Sequence, residues 1–281
     1  QREKTMKFTK MQGIGNDYVY VNCFEETVKE PEKLAVLVSE RHFGVGSDGL
    51  ILIHPSQTAD CRMQMFNADG SEGEMCGNGI RCVGKYVFDH HLVDKTEFDV
   101  ETKAGMKHLS IEAENGKAVS ITVDMGIPQV TSQIPEKITV LGQEKKFIGI
   151  SMGNPHAVYY EAGIDNLDLE EIGPAYETHP RFPEKTNSEF VEVIDREHIR
   201  MRVWERGSGE TWACGTGATA SAVACILSGK TENKVDVELK GGHLVIRWDR
   251  ESGHVYMTGP AVEVFTGELD IENLKLPESM R

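Results

Sequence analysis

The chain has no apolar run approaching the roughly 18 residues that a membrane-spanning helix needs, and no segment of low complexity. It has no surplus of positive charge. Its 30 Lys and Arg stand against 45 Asp and Glu, a formal net charge of −15. That balance excludes the basic face with which a nucleic-acid binder displaces counterions, although a local cationic pocket stays compatible with it. There is no C-x-x-C pair and no Cys/His spacing of the zinc type. No G-x-G-x-x-G follows a strand to open a βαβ unit, and no lysine stands out as a Schiff-base candidate, so no cofactor is expected. The segment Gln1–Thr5 lacks the apolar core of a signal peptide, which makes the cytoplasm the expected location.

What is present is ordinary in bulk and unusual in arrangement. The 281 residues, 39% hydrophobic and 27% charged, suit a soluble globular protein of about two domains. Two segments repeat each other, one from Cys61 to Gly79 and one from Ile199 to Gly217. The offset is 138 residues (214 − 76), and it pairs Arg62 with Arg200, Met63 with Met201, Phe66 with Trp204 and Glu72 with Glu210 without a gap. Each copy ends in Cys-Gly-x-Gly, at Cys76 and at Cys214, and the offset also carries Gly15-Asn16 onto Gly153-Asn154. A chain built this way should fold as two similar lobes with its two thiols related by a pseudo-twofold axis, an arrangement that suits chemistry needing two equivalent groups on opposite faces of one atom.

Short apolar runs bounded by Gly, Pro and Asp predict strands at residues 18–21, 49–53, 63–66, 109–111, 119–123, 190–193, 199–204 and 244–248. Helical periodicity predicts helices over 32–42, 80–92 and 214–227. The last is Ala-rich, apolar nearly all round and closes at Gly229, the pattern of a buried helix. The class is therefore α+β, with two pseudo-symmetric lobes, each a strand-rich sheet wrapped around a central helix. The boundaries read as 1–124 for the first lobe and 125–263 for the second, with the crossing at Asp124–Pro128.

The chemistry follows from where the cysteines fall. A thiol just before a helix faces the free first-turn amides. These and the macrodipole are expected to lower its pKa from about 8.5 toward ~3.5–7.5. The same amides hold a carboxylate. Removing the α-proton of an amino acid and returning one to the opposite face needs a base and an acid, which a thiolate and a thiol supply, with charge stabilisation from the helix termini. The pattern points to a cofactor-free, two-base racemase or epimerase.

The motifs Met11–Tyr18, Arg41–Gly49, Phe66–Glu72, Cys76–Cys82, Ser151–His156, Glu205–Thr211 and Ala213–Gly217 together make the chain resemble the diaminopimelate epimerases over nearly its whole length. The resemblance implies a cofactor-independent isomerase interconverting LL- and meso-diaminopimelate for lysine and cell-wall synthesis. It also implies a homodimer, and a last strand, at about 264–281, that returns to the first lobe. It makes Cys76 and Cys214 the acid/base thiols, with Cys214 accepting the proton in the LL-to-meso direction. Asn16, Asn67, Asn154, Asn187 and Arg206 match substrate-binding positions, as do the backbone cradles Gly77-Asn78 and Gly215-Thr216. Arg206 is expected to pair bidentately with the carboxylate at the non-reacting end. Glu205 is expected to meet an ammonium or assist a thiol, and His156 is a second candidate for the latter. Where some members of the family carry a substrate-contacting glutamine, this chain has Gly49.

Three other readings compete. A racemase of histidine, proline or hydroxyproline would not require the distal set Asn67, Asn187, Glu205 and Arg206. A thiol–disulfide oxidoreductase would use the two thiols but not the asparagines. A non-enzymatic amino-acid-binding protein would need no activated thiols. The remaining cysteines, Cys23, Cys61, Cys82 and Cys225, read as buried structural residues. Asp69 and Glu72 read as loop hydrogen-bonders, and the scattered histidines show no metal-ligand spacing.

Overall fold

The computed structural model describes residues 5–281; residues 1–4, within the segment read for a signal peptide, lie outside the described residues. The chain divides into two compact units, one holding the residues up to Val123 together with Pro260–Arg281, the other Asp124–Gly259.

In the first unit the strand Thr5–Gly13 pairs antiparallel with Asn16–Asn22 and, on its other side, with Val262–Asp270. Asn16–Asn22 runs parallel to Gly49–His54, which is antiparallel to Cys61–Asn67. That strand is parallel to Glu97–Thr102, and Gly105–Glu114 and Lys117–Asp124 follow antiparallel. The second unit repeats the pattern. Gln143–Ser151 pairs with Pro155–Tyr160, parallel to Asn187–Val193, then antiparallel to His198–Glu205. Lys234–Leu239 is parallel to that strand, and Gly242–Trp248 and Val255–Gly259 complete the series antiparallel. All eight apolar runs predicted as strands lie in these strands.

Among the described residues four α-helices accompany the strands: α1 (Pro31–Ser39), α2 (Gly77–Asp89), α3 (Leu169–Glu177) and α4 (Gly215–Leu227). The central helices α2 and α4 have 13 residues each and begin at the repeat offset. In α4 the small residues Ala218, Ala220, Ala222 and Ala224 are all fully buried, so strands of its own unit pack on every side of it. The other cores lie on the opposite faces of the strands. Leu34, Ala35 and Val38 of α1 meet Val19, Leu50 and Phe66 in the first unit, and Leu169 and Tyr176 of α3 meet Phe147, Tyr159 and Phe190 in the second.

Three helix readings are corrected. The helix expected over 80–92 ends at Asp89, and His91 beyond it turns left-handed at φ 59°. The first helix stops at Ser39 instead of continuing to residue 42, because Glu40 is extended and its carboxylate accepts the amides of His42 and Phe43. The carboxylate thus satisfies donors that a further helical turn would have used. Helix α3 was not anticipated. Pro174 in its interior conceals it from a reading in which proline ends helices. The Asp168 cap, whose side chain accepts the Glu171 amide at 3.3 Å, starts it nonetheless. Among the described residues no helix is long and apolar enough to cross a membrane.

Candidate active site

In the first unit Cys76 is the N-cap of α2, extended at φ −134° and ψ 121°, and its Sγ accepts the Gly79 amide at 3.4 Å. Three polar side chains surround the sulfur. Asn16 Oδ1 lies 3.2 Å from Sγ and accepts the thiol proton, and Tyr18 Oη stands at 3.6 Å. Asn78 Nδ2 donates to the same Asn16 oxygen at 3.4 Å. The Asn16 amide is oriented from behind, since its Nδ2 donates to Asp48 at 2.7 Å. Asp48 also takes the Asp17 amide at 3.1 Å, and Arg41 and Lys10 close on Asp17 at 3.1 and 2.9 Å. Burial acts to raise the Asp17 pKa, but Arg41 and Lys10 outweigh it, so that carboxyl is held below its usual value.

Beneath Cys76 lies Arg81, fully buried on α2. Its Nε donates to Pro260 O at 3.1 Å and its Nη1 to Gly77 O at 3.2 Å, while Nη2 has no partner among the described residues. Its positive charge favours the thiolate of Cys76. Sequence reasoning missed Arg81, Tyr18 and Asp48 as site-forming residues. Only a charged residue inside an otherwise apolar helix face signalled the first of them.

In the second unit Cys214 caps α4 in the same way, with φ −128° and ψ 104°, and its Sγ accepts the Gly217 amide at 3.3 Å. Thr216 Oγ1 stands 3.7 Å from the sulfur and accepts from Asn154 Nδ2 at 3.2 Å. His156 lies behind Asn154, its Nε2 3.1 Å from the amide oxygen, and its Nδ1 is 2.5 Å from Glu189 Oε1. Asn187 donates to Pro155 O at 2.9 Å and accepts the Arg206 amide at 2.8 Å. This contact ties the distal-end candidates to the strand that begins at Pro155, directly after Asn154, and carries His156. Thr211 donates to the Glu205 carboxylate. Arg206 projects outward, its Nη1 reaching Glu184 O at 3.3 Å.

The structure therefore gathers Asn16 and Asn78 around Cys76. It gathers Thr216, Asn154 and His156 around Cys214, with Asn187, Glu205 and Arg206 adjoining. Asn67 is exposed at a strand end, where it donates to Ser71 at 3.0 Å, and Asp69 also accepts from Ser71. Glu189 was not anticipated. Its signal in the sequence was an acidic residue inside the apolar strand Asn187–Val193.

The expectation of depressed thiol pKa values is corrected. Burial pushes Cys76 above its ordinary value despite the Gly79 and Asn78 amides and Tyr18. It pushes Cys214 well above, with the charges of Glu205 and Glu189 adding to the rise. One or two amides do not offset the loss of solvent around a sulfur anion.

Gly49 is likewise explained. A β-carbon there would lie 2.1 Å from Phe66 O and 3.0 Å from the Tyr18 ring, so the strand contact leaves no room for any side chain.

The comparisons with known proteins agree with this geometry. A model of the diaminopimelate epimerase family matches residues 8–131 and 148–264. The chain is 56% identical over 280 residues to a diaminopimelate epimerase of Acetivibrio thermocellus, covering 96% of this chain and 100% of the relative. It is 51% identical over 277 residues to one of Methanococcus maripaludis, covering 95% and 100%. Among solved structures, a PhzF-family phenazine biosynthesis protein of Bacillus anthracis superposes with a TM-score of 0.74 at 17% identity, covering 95% of this chain and 99% of that one. A hydroxyproline epimerase of Agrobacterium vitis reaches 0.71 at 16%, covering 96% and 93%. These last two share the fold. With two repeated units, each capping its central helix with a cysteine, and with relatives matched over almost their full length, the chain belongs to the diaminopimelate epimerase family.

Proposed function

We propose that this protein interconverts LL- and meso-diaminopimelate without a cofactor, using Cys76 and Cys214 as its acid/base pair. The observation that carries the reading is the duplicated cap, a thiol hydrogen-bonded to the amide three residues on, at the head of the central helix in each unit. A thiolate at Cys214 takes the α-proton of the LL substrate and the thiol of Cys76 returns one, the roles reversing for the meso substrate. Burial raises both thiols, so Cys214 must first lose its proton to solvent before it acts as the base, while Cys76 keeps the proton it delivers. A thiol pKa moved upward also narrows the gap to the weakly acidic α-carbon. The first-turn amides at Gly77-Asn78 and Gly215-Thr216 receive the substrate carboxylate, where negative charge grows as the proton leaves.

Asn16 and Asn154 orient the reacting amino acid. Asn67, Asn187, Glu205 and Arg206 read the distal one, with the planar guanidinium of Arg206 suited to a bidentate grip on its carboxylate. His156 assists at Cys214. We place the protein in the cytoplasm as a homodimer; the exposed Val262 and Val264, on the strand that closes the first unit, offer apolar surface for association.

The test is chiral chromatography of LL-diaminopimelate after incubation with reduced protein and no added cofactor, alongside L-proline, trans-4-hydroxy-L-proline and L-histidine. Conversion of diaminopimelate alone is the expected result. Conversion of one of the others with diaminopimelate untouched would overturn the assignment.

A further inference from the structure

Glu189 stands on the Asn187–Val193 strand, and its side chain and that of His156 are both 0% exposed. A carboxylate buried this deeply is costly unless paired, and its pair is the imidazole, with Oε1 2.5 Å from Nδ1. From the other ring nitrogen the contacts run toward the thiol: Nε2 to Asn154 Oδ1 at 3.1 Å, Asn154 Nδ2 to Thr216 Oγ1 at 3.2 Å, Thr216 Oγ1 to Cys214 Sγ at 3.7 Å. A second path is direct. A β-carbon built on Gly217 would lie 2.7 Å from Glu189 Oε1 and 3.0 Å from Cys214 Sγ. Carboxylate and sulfur are thus within the roughly 4–6 Å over which charges act on each other's ionisation.

The order of donors along this chain is fixed. The Asn154 NH2 group faces Thr216, so its oxygen faces His156, and an amide oxygen only accepts. Nε2 must therefore carry a proton. Glu189 supports that state, because its Oε1 engages Nδ1 and leaves Nε2 to the Asn154 oxygen. With an apolar residue at 189, Nδ1 would lose its partner and compete with Nε2 for the ring proton. The Asn154 amide cannot relay a proton onward, so the chain orients groups and does not conduct.

The first unit shows the contrast. The repeat offset places Ile51 opposite Glu189 and Tyr18 opposite His156, and a β-carbon on Gly79 would meet Ile51 Cδ1 at 2.8 Å. There the equivalent amide oxygen, Asn16 Oδ1, accepts the thiol of Cys76 itself at 3.2 Å.

We propose that Glu189 is a positioning residue for Cys214: it fixes His156 with a proton on Nε2 and, through Asn154, turns Thr216 toward the thiol. This rests on Cys214 being a reacting thiol. The titratable groups that face Glu189 are His156, Glu205, Cys214 and Tyr159. Burial raises the carboxyl above its usual value while His156 draws it down.

Two measurements test the proposal. In the intact wild-type protein, long-range proton–nitrogen NMR of labelled histidine, assigned against His156→Asn, should show a proton on Nε2. A bare Nε2 would overturn the proposal. In the variants, Glu189→Gln retains a polar partner for Nδ1 and should keep kcat within about threefold. Glu189→Leu should lose about tenfold or more in kcat with KM little changed. It should also shift the pH profile of Cys214 alkylation while leaving that of Cys76 in place. Equal losses in both variants, or none in either, would mark a packing role and refute the proposal; should the Leu variant not fold, the wild-type spectrum decides. Wild-type protein inactive on diaminopimelate would refute the reaction assigned above, and the histidine spectrum would still settle the role of Glu189.

Discussion

The two thiols are alike in backbone and unlike in surroundings. Both cap a helix and both accept first-turn amides, yet Cys76 has the buried cation Arg81 beneath it while Cys214 has the carboxylates of Glu205 and Glu189 nearby. As pH rises, iodoacetamide should therefore modify Cys76 before Cys214, with peptide mass spectrometry reading each site. The reverse order would mean that the neighbouring charges do not set thiol reactivity. Replacing either cysteine by alanine removes one of the two proton carriers and should lower kcat by about 10²–10⁴, with the fold unchanged by circular dichroism. The two cysteines, and Asn16 with Asn154, stood out because the repeat doubles them, whereas Asn67, Asn78 and Asn187 rested on the family motifs alone. The elevated thiols were not, since desolvation depends on what the fold packs over the sulfur. Glu189 was equally hidden, because its partner His156 is 33 residues away and only the parallel pairing of their strands joins them.

Among elements, the helices were read best where composition and periodicity agreed. The heads of α2 and α4 follow from Cys-Gly-x-Gly, and the burial of α4 follows from its alanines. Helix α3 escaped because a proline at its sixth position outweighs, in any local reading, the cap that starts it. Strand contact likewise explains Gly49, which the sequence showed only as a departure from a family pattern. Gly49→Gln would force a β-carbon into the Phe66 carbonyl and should cost roughly 1–3 kcal/mol or more, seen as a lower Tm. A variant as stable as the parent, with improved substrate affinity, would show that the strand yields and that a side chain is accommodated there.

At the level of the whole molecule, the repeat gave the two-unit plan and the strand series of each unit. The first unit is discontinuous in sequence: Val262–Asp270 pairs along Thr5–Gly13 from Thr5 to Gln12 and contributes Leu269 to the core beside Met6 and Phe8. Ending the chain after Gly259 removes that strand and also Pro260 O, the acceptor for buried Arg81 Nε. The truncated protein should lose cooperative unfolding of the first unit and, with it, activity. A truncation that melts like the full chain would show that the closing strand is dispensable.

The central claim is that two thiols, one from each unit, handle two different protons. It is tested most directly by following LL-diaminopimelate in deuterated buffer by proton NMR at low conversion, with reductant and no cofactor. The account predicts meso product carrying deuterium at the inverted α-carbon while the remaining LL substrate keeps its protium. Product that retains the substrate's own proton would contradict it and require a single shared base.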